Sequence, residues 1–259
     1  MHLTWLDNNS WSIEMGGQCV LLDPWLVGKL VFGGAEWLFR AEHGKSYETP
    51  NRIDAILLSQ GLEDHAHPET LKTLDRAIPV IASPNAAKVA RDLGFSTVTE
   101  LAHGAKHVLG DRLEIAALPG SPIGPMLVEN AYILRDRQAG TSLYYEPHGF
   151  HSEQLKQAEP IDVAIAPMAD VKIPLLGSIL KGAESAAQLA QWVQPQVMLP
   201  SAAPGNTTYD GLLAKLLKAE GGPDTLRSRL AELDLSTQVL EPTPGERFSP
   251  NLAVRAASC

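Results

Sequence analysis

The chain is short of cysteine, of positive charge and of long apolar runs, and each shortage excludes something. Two cysteines stand among 259 residues, Cys19 and Cys259. Neither a disulfide framework nor a cysteine-built zinc cluster can be made from them, and a reducing cytoplasm is the expected setting. Lys and Arg total 21 against 30 Asp and Glu, a formal charge of −9. No basic stretch is long enough to line a phosphate groove, so nucleic acid is not an expected partner. The apolar stretch at residues 173–180 is interrupted by Pro174 and Gly177. It falls well below the roughly 20 residues of a membrane span, so no transmembrane segment is expected. Residues 1–6 read as a strand rather than as a secretion signal. Apolar residues are plentiful, at 44% of the chain, enough to bury the core of one large domain.

Patterning places this chain among α/β proteins. Residues 10–15, the Gly16-Gly17 turn and residues 18–23 read as a hairpin. Residues 54–59 are apolar on both faces, as in a strand covered on each side, and Pro68 opens a helix through Leu71 and Leu74. A strand at 79–83 and a helix carrying Ala86, Val89, Ala90 and Leu93 follow, ended by Gly94. The second half repeats this order. A hairpin over 130–146 ends in Glu146-Pro147 as the first ends in Asp23-Pro24, and Ile161-Asp162-Val163-Ala164-Ile165 matches Ile53-Asp54-Ala55-Ile56-Leu57. A helix with Ala186, Leu189, Ala190 and Val193 on one face precedes a strand at 196–200. The expectation is a duplicated sandwich in a single domain, with halves at 1–125 and 126–259. Leu212, Leu213, Leu216 and Leu217, then Leu226, Leu230 and Leu233, predict a helical cap over 207–233. Residues 25–50 form a long, apolar connection, read as a binding loop or as an arm packed on its own core or on a second subunit.

The stretch Ser59-Gln60-Gly61-Leu62-Glu63-Asp64-His65 ends a buried strand and leads into a helix. It resembles the His-x-His-x-Asp-His signature of the metallo-β-lactamase superfamily. Leu22-Asp23-Pro24 is similar to that family's Asp-Pro strand end, Pro119-Gly120-Ser121 to its Pro-Gly-His, and Tyr144-Tyr145-Glu146 to the strand bearing its bridging Asp. The resemblance covers most of the chain and is closest to the lactonase-like and phospholipase-D-like branch. It implies a four-layer αββα sandwich of two pseudo-symmetric halves, and a hydrolase whose metal ions activate water. The family's ligands are largely replaced here. Gln60, Leu62 and Ser121 stand where it has histidines, as do Asn8 and either Ser201 or Ala202. Two full metal sites are therefore not expected, because Leu62 has no lone pair and Gln60 offers only a neutral oxygen.

What remains is Asp64, His65, Glu146 and, in Glu146-Pro147-His148-Gly149, His148. Two imidazoles and two carboxylates suffice for one divalent metal, zinc, iron or manganese, with Asp64 and His65 as catalytic ligands and Gln60, Glu63, Ser121 and Asn8 lining the pocket. Each residue also has a plainer role. Asp64 suits a helix start, and His148 could bond Glu146 or backbone carbonyls. Residues 120–125 lack the Gly-x-Ser-x-Gly spacing of a serine nucleophile and read as a rigid turn. Two functions stay open: metal-dependent hydrolysis of an ester, lactone or phosphodiester, or a metal-free member that binds a ligand or protein in the old cleft. The expected partner is a small molecule with an apolar part, and loop 25–40 could join two copies of the chain.

Overall fold

The computed structural model describes residues 1–123, 126–174 and 177–254. Gly124 and Pro125 of the expected turn, Leu175 and Leu176 of the apolar stretch, and Cys259 lie outside the described residues. The order begins β1 (His2–Trp5), β2 (Trp11–Met15), β3 (Gln18–Leu22), β4 (Arg40–His43), β5 (Ala55–Leu58), α1 (Pro68–Thr73), β6 (Val80–Ala82), α2 (Pro84–Asp92) and β7 (Val98–Glu100). It continues β8 (Lys106–Leu109), β9 (Leu113–Ile123), β10 (Leu127–Asp136), β11 (Ser142–Tyr145), β12 (Val163–Ala166), β13 (Ala169–Ile173), β14 (Gly177–Leu180), α3 (Ala183–Val193) and β15 (Val197–Pro200). It closes with β16 (Thr207–Asp210), α4 (Leu212–Leu216), β17 (Lys218–Gly221), α5 (Pro223–Glu232), β18 (Gln238–Val239) and β19 (Arg247–Phe248).

Two seven-stranded sheets carry the fold, β19-β1-β2-β3-β5-β6-β7 and β8-β9-β10-β11-β12-β15-β18. Read in that direction they match strand for strand. Each opens with antiparallel pairs and turns parallel after its hairpin, at β3–β5 in one and β11–β12 in the other. Small features repeat too: an Asp54 carboxylate oxygen accepts from Cys19 N at 2.7 Å, as one of Asp162 does from Ser142 N at 2.9 Å. The sheets face each other across a core that includes Trp5, Trp11, Ile13 and Leu57 from one and Ile115, Tyr132, Tyr145 and Leu199 from the other. α1 and α2 cover the outer face of the first sheet through Leu71, Ala86 and Ala90. α3 and α5 cover the second through Ala186, Leu189 and Leu226. This is the expected αββα sandwich. The central strands are buried on both faces, which is why they read as unbroken apolar runs.

The structure divides the chain differently from the expected halves in two respects. The second sheet begins at β8, near residue 106 rather than 126, because the alternating Leu113, Ile115 and Ala117 are buried only when β9 pairs with β10 and faces the first sheet. The C-terminal β19 returns to edge the first sheet beside β1. The 207–233 segment is not purely helical. β16 pairs with β4, and β17 pairs with β13, between the two helices. The long connection is an arm packed on its own chain: Trp25, Leu30, Phe39 and Ala41 bury against Leu213, Ala214 and Leu217 of the α4 region. Trp37 is left 72% exposed. Among the described residues no helix is long and apolar enough to cross a membrane.

Candidate metal site

The site forms where strands β3, β5 and β11 end on one rim and their loops converge. Two residues hold equivalent places in the duplicated sheets. Asp23 follows β3 and donates its N–H to Leu57 O, while Glu146 follows β11 and donates to Ile165 O. Their side chains then diverge. Asp23, with φ of 39°, is in the left-handed region that Asp tolerates better than most residues. Its buried carboxylate takes hydrogen bonds from Ser59 N at 2.7 Å, from Ser59 Oγ, and across the sandwich from Tyr145 OH at 2.6 Å. It also meets His65 Nδ1 at 2.7 Å. Glu146, one methylene longer, folds back on its own loop and accepts from the N–H groups of His148 at 3.1 Å and Phe150 at 2.7 Å.

Asp64 and His65 lie in a tight turn held by His65 N and Ala66 N, both donating to Leu62 O. Neither caps the helix that follows. His67 does so, accepting at Nδ1 from Thr70 N, with Pro68 at the first helical position. With Nδ1 an acceptor, His67 Nε2–H donates to Lys29 O at 3.1 Å and pins the arm. Asp64 and His65 are thus free for the site, their Oδ2 and Nε2 atoms 3.1 Å apart.

Among the described residues, Asp64, His65 and His148 bring ligand atoms within 4.8 Å of one another. Asp64 Oδ1 and His65 Nε2 are buried without a hydrogen-bond partner. Glu146 is not part of that group, although its Oε1 is also buried and unpartnered. Gln60 and Ser121 touch His148: the Gln60 amide nitrogen is 2.7 Å from His148 Nδ1 and 2.9 Å from Ser121 Oγ, which is 3.1 Å from the same imidazole nitrogen. Gly61 beside them cannot carry a side chain without displacing Asn85, whose amide lies 2.6 Å from where a Cβ would be. The other two expected pocket residues are engaged elsewhere. Glu63 accepts from Gly33 N of the arm, and Asn8 donates to Tyr209 OH at 2.8 Å.

Charges in the site follow burial and neighbours. Burial alone would push His65 down, but the carboxylates of Asp64 and Asp23 outweigh it and hold the imidazolium well above the usual range. Burial opposes the charge of Asp64, yet His65 beside it keeps its carboxyl low. His148, buried and facing the charged His65, is pushed down to about 3 and stays neutral, while burial lifts Glu146 to about 7. The residue types suit a cation: a neutral imidazole, a second imidazole whose charge a cation could replace beside Asp64, and a carboxylate with a free oxygen. Three protein ligands with positions left open is the pattern of catalytic rather than structural sites.

The family model for the β-lactamase superfamily domain matches residues 2–202. The chain belongs to the metallo-β-lactamase superfamily. No curated protein matches its sequence. Solved structures share the fold. An isothiocyanate hydrolase from Delia radicum gut bacteria aligns with a TM-score of 0.73 at 17% identity, covering 96% of this chain and 99% of that one. The metallo hydrolase Igni18 from Ignicoccus hospitalis aligns at 0.66 and 16%, covering 96% and 99%. The metallo-β-lactamase fold protein YhfI from Bacillus subtilis aligns at 0.63 and 13%, again covering 96% and 99%. The family match ends before β16, so Tyr209 and the α4–α5 region lie beyond it.

In this metallo-β-lactamase chain the sequence reading singled out Asp64, His65 and His148 but gave Asp23, Ser59 and Tyr145 no part in the site. The signals available were the matched position of Asp23 and Glu146 in the repeat and the likeness of Leu22-Asp23-Pro24 to the family's strand end. Beside the site, buried Asp7 accepts from Tyr47 OH at 2.7 Å, Asn206 N at 2.9 Å and Asn8 N at 3.0 Å. Burial opposes its ionisation, but these bonds and His43 prevail, and its carboxyl sits below the ordinary 3.8. A folded-state value below the unfolded one means stability that is complete above the ordinary value and lost as pH falls through the folded one. Asp7→Asn is expected to flatten the fall of urea-unfolding free energy below about pH 4. An unchanged acid limb would show that Asp7 does not set it.

Proposed function

We propose that the chain is a metal-dependent hydrolase working with a single divalent cation held by Asp64, His65 and His148. The observation that carries this reading is the convergence of those three side chains, with Asp64 Oδ1 buried and unpartnered and His65 Nε2 facing only the Asp64 carboxylate. Orphaned buried polar atoms are costly, and their clustering marks a place built for a ligand. Two imidazoles and one carboxylate accept zinc or iron(II). The cation would supply Lewis acidity, polarising a carbonyl or phosphoryl oxygen and acidifying water for attack on an ester, lactone or phosphodiester.

The chain's own groups do the rest. Asp23 accepts from His65 Nδ1, which leaves Nε2 as the coordinating atom and fixes the ring plane, the carboxylate–histidine arrangement common at metal sites. To hold a cation that nitrogen would have to be deprotonated, so His65 would have to be neutral beside Asp64. Glu146 holds the 148–150 backbone and so sets the height of His148 over the site. Among the described residues a second ion has no comparable set, and Leu62 stands at the family position between Gln60 and Asp64.

The test is a panel of esters, lactones and phosphodiesters assayed before and after dialysis against a chelator. Turnover of at least one class should vanish on dialysis and return with zinc, iron(II) or manganese. Turnover indifferent to chelation, or none on any class by protein that binds no metal, would leave the cleft as a binding site without chemistry.

A further inference from the structure

The Gln60 side chain poses a problem that the metal reading does not resolve by itself. Its amide end sits in a triangle with Ser121 Oγ and His148 Nδ1 at 2.9 and 2.7 Å, while its other end, Oε1, is buried with no partner. Ser121 is 4% exposed and Gln60 fully buried. With nitrogen in the triangle, Gln60 donates to both neighbours and His148 Nδ1 must be an acceptor. The His148 proton then lies on Nε2. With the amide rotated by half a turn, Oε1 accepts from Ser121 Oγ–H and from His148 Nδ1–H, and the Nε2 lone pair becomes free. Each orientation leaves one end of the amide unpaired, so the amide has little preference of its own, and the proton on His148 decides.

We infer that Gln60 is a positioning residue whose amide turns with the His148 tautomer and, with its carbonyl in the triangle, supplies the acceptor that holds the proton on Nδ1 and leaves His148 Nε2 able to coordinate a cation. The inference rests on the proposed metal site and adds to it a regulator of one ligand. A residue standing at a family ligand position thereby acts one step back, orienting a histidine supplied by a different loop. The carbonyl orientation reproduces the arrangement in which a metal-bound histidine donates its other N–H to an oxygen.

The experiment compares wild type with Gln60→Glu and Gln60→Leu, reading zinc affinity by competition with a chromophoric chelator and the His148 tautomer by 15N imidazole shifts, assigned with His148→Gln. Once ionised, Glu presents only acceptors and locks the proton on Nδ1, so at alkaline pH the metal-free variant should show that tautomer and bind zinc at least as tightly as wild type. Leu offers no acceptor, and affinity should fall about 10–100-fold, the usual loss on removing an outer partner of a ligand. Equal affinity losses in both variants, or a metal-free Gln60→Glu protein still protonated at Nε2, would overturn the inference. If wild type binds no zinc, the metal reading fails, and the tautomer shift alone still decides whether Gln60 controls His148.

Discussion

Elemental analysis of native protein is expected to find close to one divalent metal per chain, and the Asp64→Ala, His65→Ala double variant is expected to hold none. The double change removes two of three side chains whose ligand atoms come within 4.8 Å. A lone His148, neutral and backed by Gln60, is a weak monodentate site. Loss of an outer partner alone typically costs 10–100-fold in metal affinity, so loss of two direct ligands should exceed about 100-fold. Hydrolytic turnover should fall by at least as much, because nothing else at the rim supplies Lewis acidity. The single variant Asp64→Ala separates the two contributions: it keeps His65 on Asp23 and should leave the fold intact by circular dichroism. Metal content unchanged in the double variant would place the ion elsewhere and refute the assignment. The identity of the ion, zinc, iron or manganese, comes from the same measurement.

Asp23→Ala should be among the most destabilising single changes in the chain, by about 3–5 kcal/mol, the usual cost of removing one member of a buried, charge-paired set. Against the 5–15 kcal/mol that separates folded from unfolded domains, that is a large share. Four groups lose their acceptor at once: Ser59 N, Ser59 Oγ, Tyr145 OH and His65 Nδ1. Tyr145 belongs to the opposite sheet, so the change also loosens the junction between the halves. Asp23→Asn keeps one oxygen acceptor and should cost less, yet it removes one of the two charges, Asp64 being the other, that hold His65 protonated in the metal-free protein. Urea unfolding measures both variants, with the midpoint falling at an unchanged slope. A shift of under about 1 kcal/mol for Asp23→Ala, the size of an ordinary hydrogen bond, would show that the network is not what ties the sheets together there.

The two predictions differ in how far the sequence foreshadows them. Asp64 and His65 are adjacent and carry the family's residue types, so they could be singled out locally. Asp23 could not be read that way. Its significance comes from partners 36, 42 and 122 residues away, just past another strand, in a turn and on the opposing sheet. Gln60 illustrates the same limit. As a letter in a motif it is a missing histidine. Only the approach of Ser121 and His148, 61 and 88 residues along the chain, gives it something to do. Asn8 and Glu63 illustrate the reverse: motif position placed them in the pocket, but the structure gives their side chains to Tyr209 and to the arm.

By itself the sequence determined the duplicated α/β order, the doubly buried central strands and the scarcity of cysteine. Those properties live in composition and in periodicities of two and 3.6 residues, which act over a few neighbouring positions. The tertiary structure alone decided where the sheets divide, that the apolar arm packs on α4, that His67 rather than Asp64 caps α1, and which polar groups converge on the rim. Such outcomes depend on pairing elements distant in the chain. The chain ordering needed to bring them together is offset only by burial and hydrogen bonding of the whole set, a balance no local stretch contains.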